Sequence, residues 1–121
     1  MIALARKVIP PYAITQMTIE AVLKLLETSQ IAVMHSRIAT LGAERQRMFE
    51  ALGKLPTVKR AWPSDSNFIL VEFADPDSAL QKSRAANLLI RDVRAQFGLP
   101  RTLRISIGTA DQNDRLLESL R

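Results

Sequence analysis

The segment 103–109, with the sequence LRISIGT, constrains the fold more than any other part of the chain. Every second residue in it is apolar, which predicts a strand with one buried face; the apolar residues are Leu103, Ile105 and Ile107. The same alternation places Arg104 on the opposite face of the strand. A glycine ends the segment, and Thr109 with Gln112 three positions later predicts a capping box at the start of a helix.

Two arginines near predicted strand ends are the candidate site residues. Arg104 lies in the strand just described, and Arg91 lies in the apolar stretch 89–93, which predicts a short strand. The planar fork of an arginine binds carboxylates and phosphates through paired hydrogen bonds, so an arginine held by a rigid strand suits an anionic ligand. The alternative is that each arginine lies on a solvent-exposed face of the sheet and binds no ligand.

The rest of the chain predicts helices and strands in an order typical of the α+β class. Apolar spacing and capping signals predict a helix after an N-cap at Thr15, a break at 28–30, a long helix over 31–55 and a helix after an N-cap at Asp75. Further strands are expected at 58–62 and 67–73, the second buried on both faces as far as Glu72. We therefore expect a small, mostly antiparallel sheet with helices packed on one face.

Composition narrows the possible functions. The 121 residues carry a net charge of +5, one histidine and no cysteine, so disulfides and cysteine-based metal sites are excluded and a cytoplasmic location is expected. The glycines are isolated, which excludes a glycine-rich nucleotide loop. No apolar run is long enough to predict a membrane span. A basic anion-binding or nucleic-acid-binding module stays open, although the basic residues do not cluster.

Four segments together resemble the C-terminal small domain of the histidinol-phosphate aminotransferases, a family of fold-type I enzymes that use pyridoxal phosphate (PLP). The segments are RKVIPPY at 6–12, SDSNFIL at 64–70, LIRD at 89–92 and LRISIGT at 103–109. Similar motifs occur in threonine-phosphate decarboxylases and in other class I/II aminotransferases. The resemblance implies that 1–14 is a linker from a large domain and that 15–121 is the small domain.

The resemblance also implies a function and roles for the two arginines. The parent enzyme would transfer an amino group between glutamate or 2-oxoglutarate and an imidazolyl phosphate in histidine biosynthesis, and Arg104 and Arg91 would bind the phosphorylated substrate. PLP is attached in this family to a lysine in a serine-rich segment of the large domain. None of the five lysines has that setting. The resemblance therefore implies that this chain alone is inactive, binds no cofactor, pairs with a large domain and forms a homo-oligomer.

Overall fold

The computed structural model describes Lys7, Tyr12 and residues 14–96 and 98–121. The chain forms two compact units, Met1–Arg37 and Ile38–Arg121. Apart from Lys7, Tyr12 and Ile14, the predicted linker over 1–14 lies outside the described residues. No helix in the described ranges is long and apolar enough to cross a membrane.

The first unit contains helix α1, Gln16–Leu25, and the start of helix α2, Thr28–Gly53. The hydroxyl of Thr15 accepts a hydrogen bond from the Thr18 backbone N–H, so the predicted N-cap is confirmed. The prediction that 28–30 interrupts the helices is wrong. The chain turns at residues 26–27, and 28–30 form the first turn of α2, where hydroxyl side chains are well tolerated.

The second unit is built on a four-stranded antiparallel sheet. Its strands lie in the order β1-β2-β4-β3, with bounds β1 Val58–Ala61, β2 Phe68–Phe73, β3 Arg91–Asp92 and β4 Thr102–Ser106. Helix α3, Pro76–Ala85, follows β2, and helix α4, Ala110–Leu120, follows β4. The predicted α+β class, the antiparallel sheet and the order of elements are confirmed.

The core lies between one face of the sheet and three helices. Its fully buried strand residues are Ile69, Val71, Phe73, Leu103 and Ile105, and its buried helix residues include Met48, Leu52, Leu80, Leu116, Leu117 and Leu120. The prediction that β2 is buried on both faces is wrong, because Phe68, Leu70 and Glu72 are only half-buried. The core therefore takes one face of the sheet and leaves the other for a site.

Candidate functional site: an arginine pair on the open face of the sheet

The face of the sheet opposite the core carries both predicted site residues. This open face is made of the strand residues that alternate with the core residues, together with their cross-strand partners. They are Arg60, Phe68, Leu70, Glu72, Arg91, Thr102, Arg104 and Ser106, of which Thr102 is buried and the others are half-buried or exposed. Successive strand residues point to opposite faces, so Arg104 leaves the sheet on the side away from Leu103 and Ile105. The predicted orientation of the Arg104 side chain is confirmed.

The strand register makes Arg91 and Arg104 direct cross-strand neighbours. On the other side, Arg104 pairs with Leu70 of β2. Directly opposed residues in antiparallel strands share a face, with Cβ atoms about 4.5–5.5 Å apart, and like charges in such positions are destabilising. The structure therefore brings the two predicted residues together, in an arrangement that an anion between them would stabilise.

The Arg104 side chain has unused hydrogen-bonding capacity. Its Nε is buried and, within the described part of the chain, has no hydrogen-bond partner. Its guanidinium carbon lies 5.0 Å from the centroid of the Phe68 ring, a distance at which cation and ring attract each other. Because the ring holds the guanidinium in place, its free donor is oriented before any ligand binds.

A second stacked arginine on the open face provides a useful comparison. The Arg60 guanidinium carbon lies 5.2 Å from the centroid of the Trp62 ring, and Arg60 pairs across strands with Glu72. Arg60 therefore has an acidic cross-strand neighbour, whereas Arg104 has a basic one. This difference makes Arg104 the better candidate for an anion site.

A polar network fixes the end of β4, and the sequence reading missed it. Asn113 of α4 is buried and donates from Nδ2 to Oε2 of Glu44 at 2.8 Å and to the Gly108 carbonyl at 3.1 Å. Its Oδ1 accepts from the Gly108 backbone N–H at 2.9 Å. The signal was present, because Asn113 occupies the apolar stripe of α4 with Leu116 and Leu117, where a polar residue must find partners.

The carboxylate in this network is also held by an arginine. Arg47 donates to both Glu44 oxygens, at 3.0 and 2.8 Å, and to Oδ1 of Asp114 at 2.6 Å. The hydrogen bonds from Arg47 and then from Asn113 hold the pKa of Glu44 below its ordinary value. The charged form of Glu44 therefore ties α2 to the turn between β4 and α4.

The glycine of the LRISIGT segment is required by the helix cap. Thr109 and Gln112 form the predicted capping box, which is confirmed. A Cβ on Gly108 would lie 2.6 Å from Oε1 of Gln112 and 3.1 Å from its Cβ. The segment thus combines a core-facing strand, an outward arginine and a tight helix start.

Solved structures place this fold among the aminotransferases. A candidate aminotransferase from Burkholderia pseudomallei is 40% identical, with a TM-score of 0.63 over 71% of this chain and 26% of that protein. The histidinol-phosphate aminotransferase from Clostridium acetobutylicum, at 23% identity, and a decarboxylase from Sulfurospirillum multivorans, at 16%, share the fold with TM-scores of 0.69 and 0.78 over 79% and 90% of the chain. They are covered over 29% and 32% of their own lengths. By its fold, the chain is an α+β domain of the aminotransferase type.

Curated relatives show which aminotransferases the chain is most like in sequence. The chain is 40% identical over 120 residues to the histidinol-phosphate aminotransferase of Stenotrophomonas maltophilia, and 38% identical over 121 residues to that of Xylella fastidiosa. It spans about a third of the length of these curated relatives, 33% in both cases. No protein-family model matches. The resemblance recognised in the sequence is confirmed: over its whole length the chain is similar to the C-terminal third of histidinol-phosphate aminotransferases.

Among the described residues, no lysine is buried. PLP enzymes of this kind hold the cofactor through a lysine and a partner for the pyridinium nitrogen, whereas all five lysines here are exposed. Lys82, for example, donates from Nζ to the Arg121 carbonyl at 2.9 Å at the surface. Nor do three or more histidine, cysteine, aspartate or glutamate residues gather as metal ligands within the described ranges. Among the described residues, the pair of Arg91 and Arg104 is the candidate site, and its chemistry suits an anion.

Proposed function

We propose that this chain is the substrate-binding domain of a histidinol-phosphate aminotransferase-like enzyme. The parent reaction would be amino transfer between glutamate or 2-oxoglutarate and an imidazolyl phosphate in histidine biosynthesis. The observation that carries the proposal is the cross-strand pair of Arg91 and Arg104, with a buried Arg104 Nε that has no partner in the described chain. The similarity to histidinol-phosphate aminotransferases supports the substrate class.

The arginine pair suits a phosphate better than a singly charged group. A phosphate monoester carries about −1.5 to −2 charges at neutral pH, which offsets the repulsion between two guanidinium groups. Each charge-assisted contact contributes about 1.5–3 kcal/mol before the costs of association. Two contacts contribute about 3–6 kcal/mol, part of which is lost to the costs of association, so we expect this chain alone to bind phosphate with a dissociation constant on the order of 1–10 mM.

Within the enzyme, the arginine pair binds and orients the substrate. When PLP is bound in the parent enzyme, it supplies the electron sink for amino transfer, and the rest of the parent holds it. Arg104 and Arg91 bind the end of the substrate remote from the reacting carbon. Binding energy from such a remote group is used to orient the reacting atoms.

This proposal also assigns residues 15–121 to the small domain and residues 1–14 to a connection with a large domain. The extent of the sequence match supports this assignment, because the chain matches its curated relatives over 99–100% of its own length but covers only a third of theirs. In the parent enzyme, the two thirds that this chain does not span would supply the cofactor site and the main partner surface. The isolated chain is then expected to have no transaminase activity.

A chimeric enzyme tests the proposal. The matched third of the Stenotrophomonas maltophilia enzyme is replaced by this chain, and amino transfer is measured with histidinol phosphate and with histidinol. We expect activity with the phosphate ester, and a loss of about 10²-fold in kcat/KM on Arg104→Gln, corresponding to about 2.7 kcal/mol.

The matched control is Arg60→Gln, which removes the same charge from another stacked arginine on the open face. It should change kcat/KM by less than about threefold, within the effect of an ordinary surface substitution. A folded chimera that binds PLP but handles both substrates equally well would refute the phosphate assignment.

A further inference from the structure

Strand β3, which carries Arg91, is held only weakly in the sheet, although it must keep Arg91 opposite the positively charged Arg104. It contains only Arg91 and Asp92 and lies at the edge of the sheet, paired only with β4. Short edge strands are held by few ladder hydrogen bonds, and the cross-strand neighbour of Arg91 is Arg104. In the absence of ligand, charge repulsion therefore favours separation of β3 from β4.

A group of three charged side chains holds the same strand from its other side. Arg94 donates from Nε to both carboxylate oxygens of Asp92 at 3.0 and 3.1 Å, and from Nη2 to Oδ2 at 2.7 Å. The Arg94 backbone N–H also donates to Oδ1 of Asp92 at 3.0 Å. Arg94 Nη2 lies 2.9 Å from Oδ1 of Asp77 in the first turn of α3. We call Asp77, Asp92 and Arg94 the clasp.

The clasp and the arginine pair lie on opposite faces of β3. Arg91 and Asp92 are successive strand residues, so their side chains point to opposite sides of the sheet. Arg91 shares the open face with Arg104, and Asp92 points to the side where α3 carries Asp77. The clasp therefore does not contact a ligand held between the two arginines, and any influence on that ligand passes through β3.

The geometry of the clasp suits a rigid tether. The Arg94 side chain is 28% exposed, and its guanidinium is shared between a strand residue and a helix residue. Hydrogen bonds from the side chain and backbone of Arg94 lower the pKa of Asp92 to about 2, so Asp92 stays ionised throughout the neutral range. A bidentate arginine contact also fixes orientation as well as distance.

We propose that Arg94 is a positioning residue for the substrate phosphate: through Asp92 and Asp77 it fixes β3 to α3 and keeps Arg91 opposite Arg104. This inference rests on the proposed function of the arginine pair. It assigns to the clasp a role in phosphate affinity, beyond any contribution to stability.

Nuclear magnetic resonance of the whole chain tests the inference. Inorganic phosphate is titrated at about pH 6.5, at constant ionic strength, while the Nε–Hε signals of Arg91 and Arg104 are followed. In the wild-type chain both signals should shift. Arg94→Ala should weaken phosphate binding about three- to tenfold and reduce the shift at Arg91, while the signal of Arg104 still responds. Arg94→Lys should restore part of the affinity, since it keeps the charge but loses the fork.

Three further variants show why Arg94→Ala binds phosphate more weakly. Arg121→Ala removes one positive charge and one surface ion pair, that with Glu118, and should leave phosphate affinity within about twofold. Asp77→Asn leaves the Asp92–Arg94 contacts intact and removes the negative charge from the link to α3, which weakens that link. It should still weaken phosphate binding, and it decides the matter if Arg94→Ala does not fold. Arg104→Gln tests the arginine pair itself.

The variants distinguish a failure of the positioning role of Arg94 from a failure of the proposed function. If Arg104→Gln abolishes phosphate binding while folded Arg94→Ala and Asp77→Asn bind like Arg121→Ala, the clasp is only structural and the positioning role is overturned. If phosphate does not shift the Arg104 signal in the wild-type chain, or if Arg104→Gln binds as tightly as wild type, the proposed function fails and the inference fails with it.

Discussion

Replacing Arg104 by methionine should make the folded chain more stable while removing its anion site. Methionine keeps an unbranched stem that can pack on Phe68, but it has no charge and no donor. In the wild-type chain the buried Nε has no partner within the described residues, and Arg91 is its cross-strand neighbour. A residue selected for folding alone would not be a second arginine at this position.

The expected gain in stability follows from two costs that the substitution removes and one favourable contact that it loses. An unpaired buried donor costs about 1–3 kcal/mol, and a like charge directly opposite costs about 0.2–1 kcal/mol. Against these, the contact between the guanidinium and the Phe68 ring contributes about 0.5–1 kcal/mol. Arg104→Met should therefore raise the free energy of unfolding by about 1 kcal/mol. For a domain of this size, that corresponds to about 4–8 °C in Tm.

The assay is urea unfolding in chloride and in phosphate at matched ionic strength. With a dissociation constant of about 5 mM, 0.1 M phosphate should stabilise the wild-type chain by about 1.8 kcal/mol, and Arg104→Met by less than about 0.5 kcal/mol. Arg60→Met is the matched control and should keep the full phosphate effect. If Arg104→Met loses more than about 1 kcal/mol of stability in chloride, Arg104 is a structural residue and the reasoning is refuted.

Four further predictions test the framework that carries the site. Gly108→Ala should cost about 0.5–2 kcal/mol by displacing Gln112 from the cap, and Gln112→Ala should cost less in that background than in the wild type, as measured by urea unfolding of the wild type, the two single variants and the double variant. Asn113→Asp should lower the free energy of unfolding by about 2–4 kcal/mol at pH 7, because it places a second carboxylate against Glu44. The difference in free energy of unfolding between this variant and the wild type should become smaller at pH 4, as protonation relieves the repulsion. In the wild-type chain the pKa of Glu44 is lowered on folding, so its contribution is present above pH 4.5 and is lost as pH falls through the folded-state pKa; Glu44→Gln should flatten that acid limb of the unfolding profile. Leu103→Ala, at a fully buried core position, should cost about 2–5 kcal/mol in the same assay; a cost below 1 kcal/mol would contradict the core described above.

The order of elements was predictable from the sequence because local signals specify it. The alternation in LRISIGT sets which side of β4 is buried, and capping residues such as Thr15 and Thr109 mark where helices begin. The reading of β2 failed for a physical reason. Its residues are apolar on both faces, and the sequence does not reveal that Phe68 and Leu70 lie on the face left open by the helices of the core.

The candidate site was predictable only in part. The two arginines could be chosen from their strand context, but their pairing depends on the register of a two-residue strand, which periodicity does not determine. The contacts that hold the site in place could not be predicted either, because they depend on the tertiary structure. Glu44 and Asn113 are 69 residues apart in the chain, and Asp77 meets Arg94 only because α3 lies beside the edge of the sheet.

The most direct test of the arginine pair is isothermal titration calorimetry of the 121-residue chain with histidinol phosphate and with histidinol. We predict millimolar binding of the phosphate ester, binding of histidinol at least about tenfold weaker, and a loss of about tenfold or more on either Arg91→Gln or Arg104→Gln. The control Arg60→Gln should bind like the wild type. Equal affinity for the two compounds, or an Arg60→Gln variant as impaired as Arg104→Gln, would contradict the claim that this pair binds the substrate phosphate.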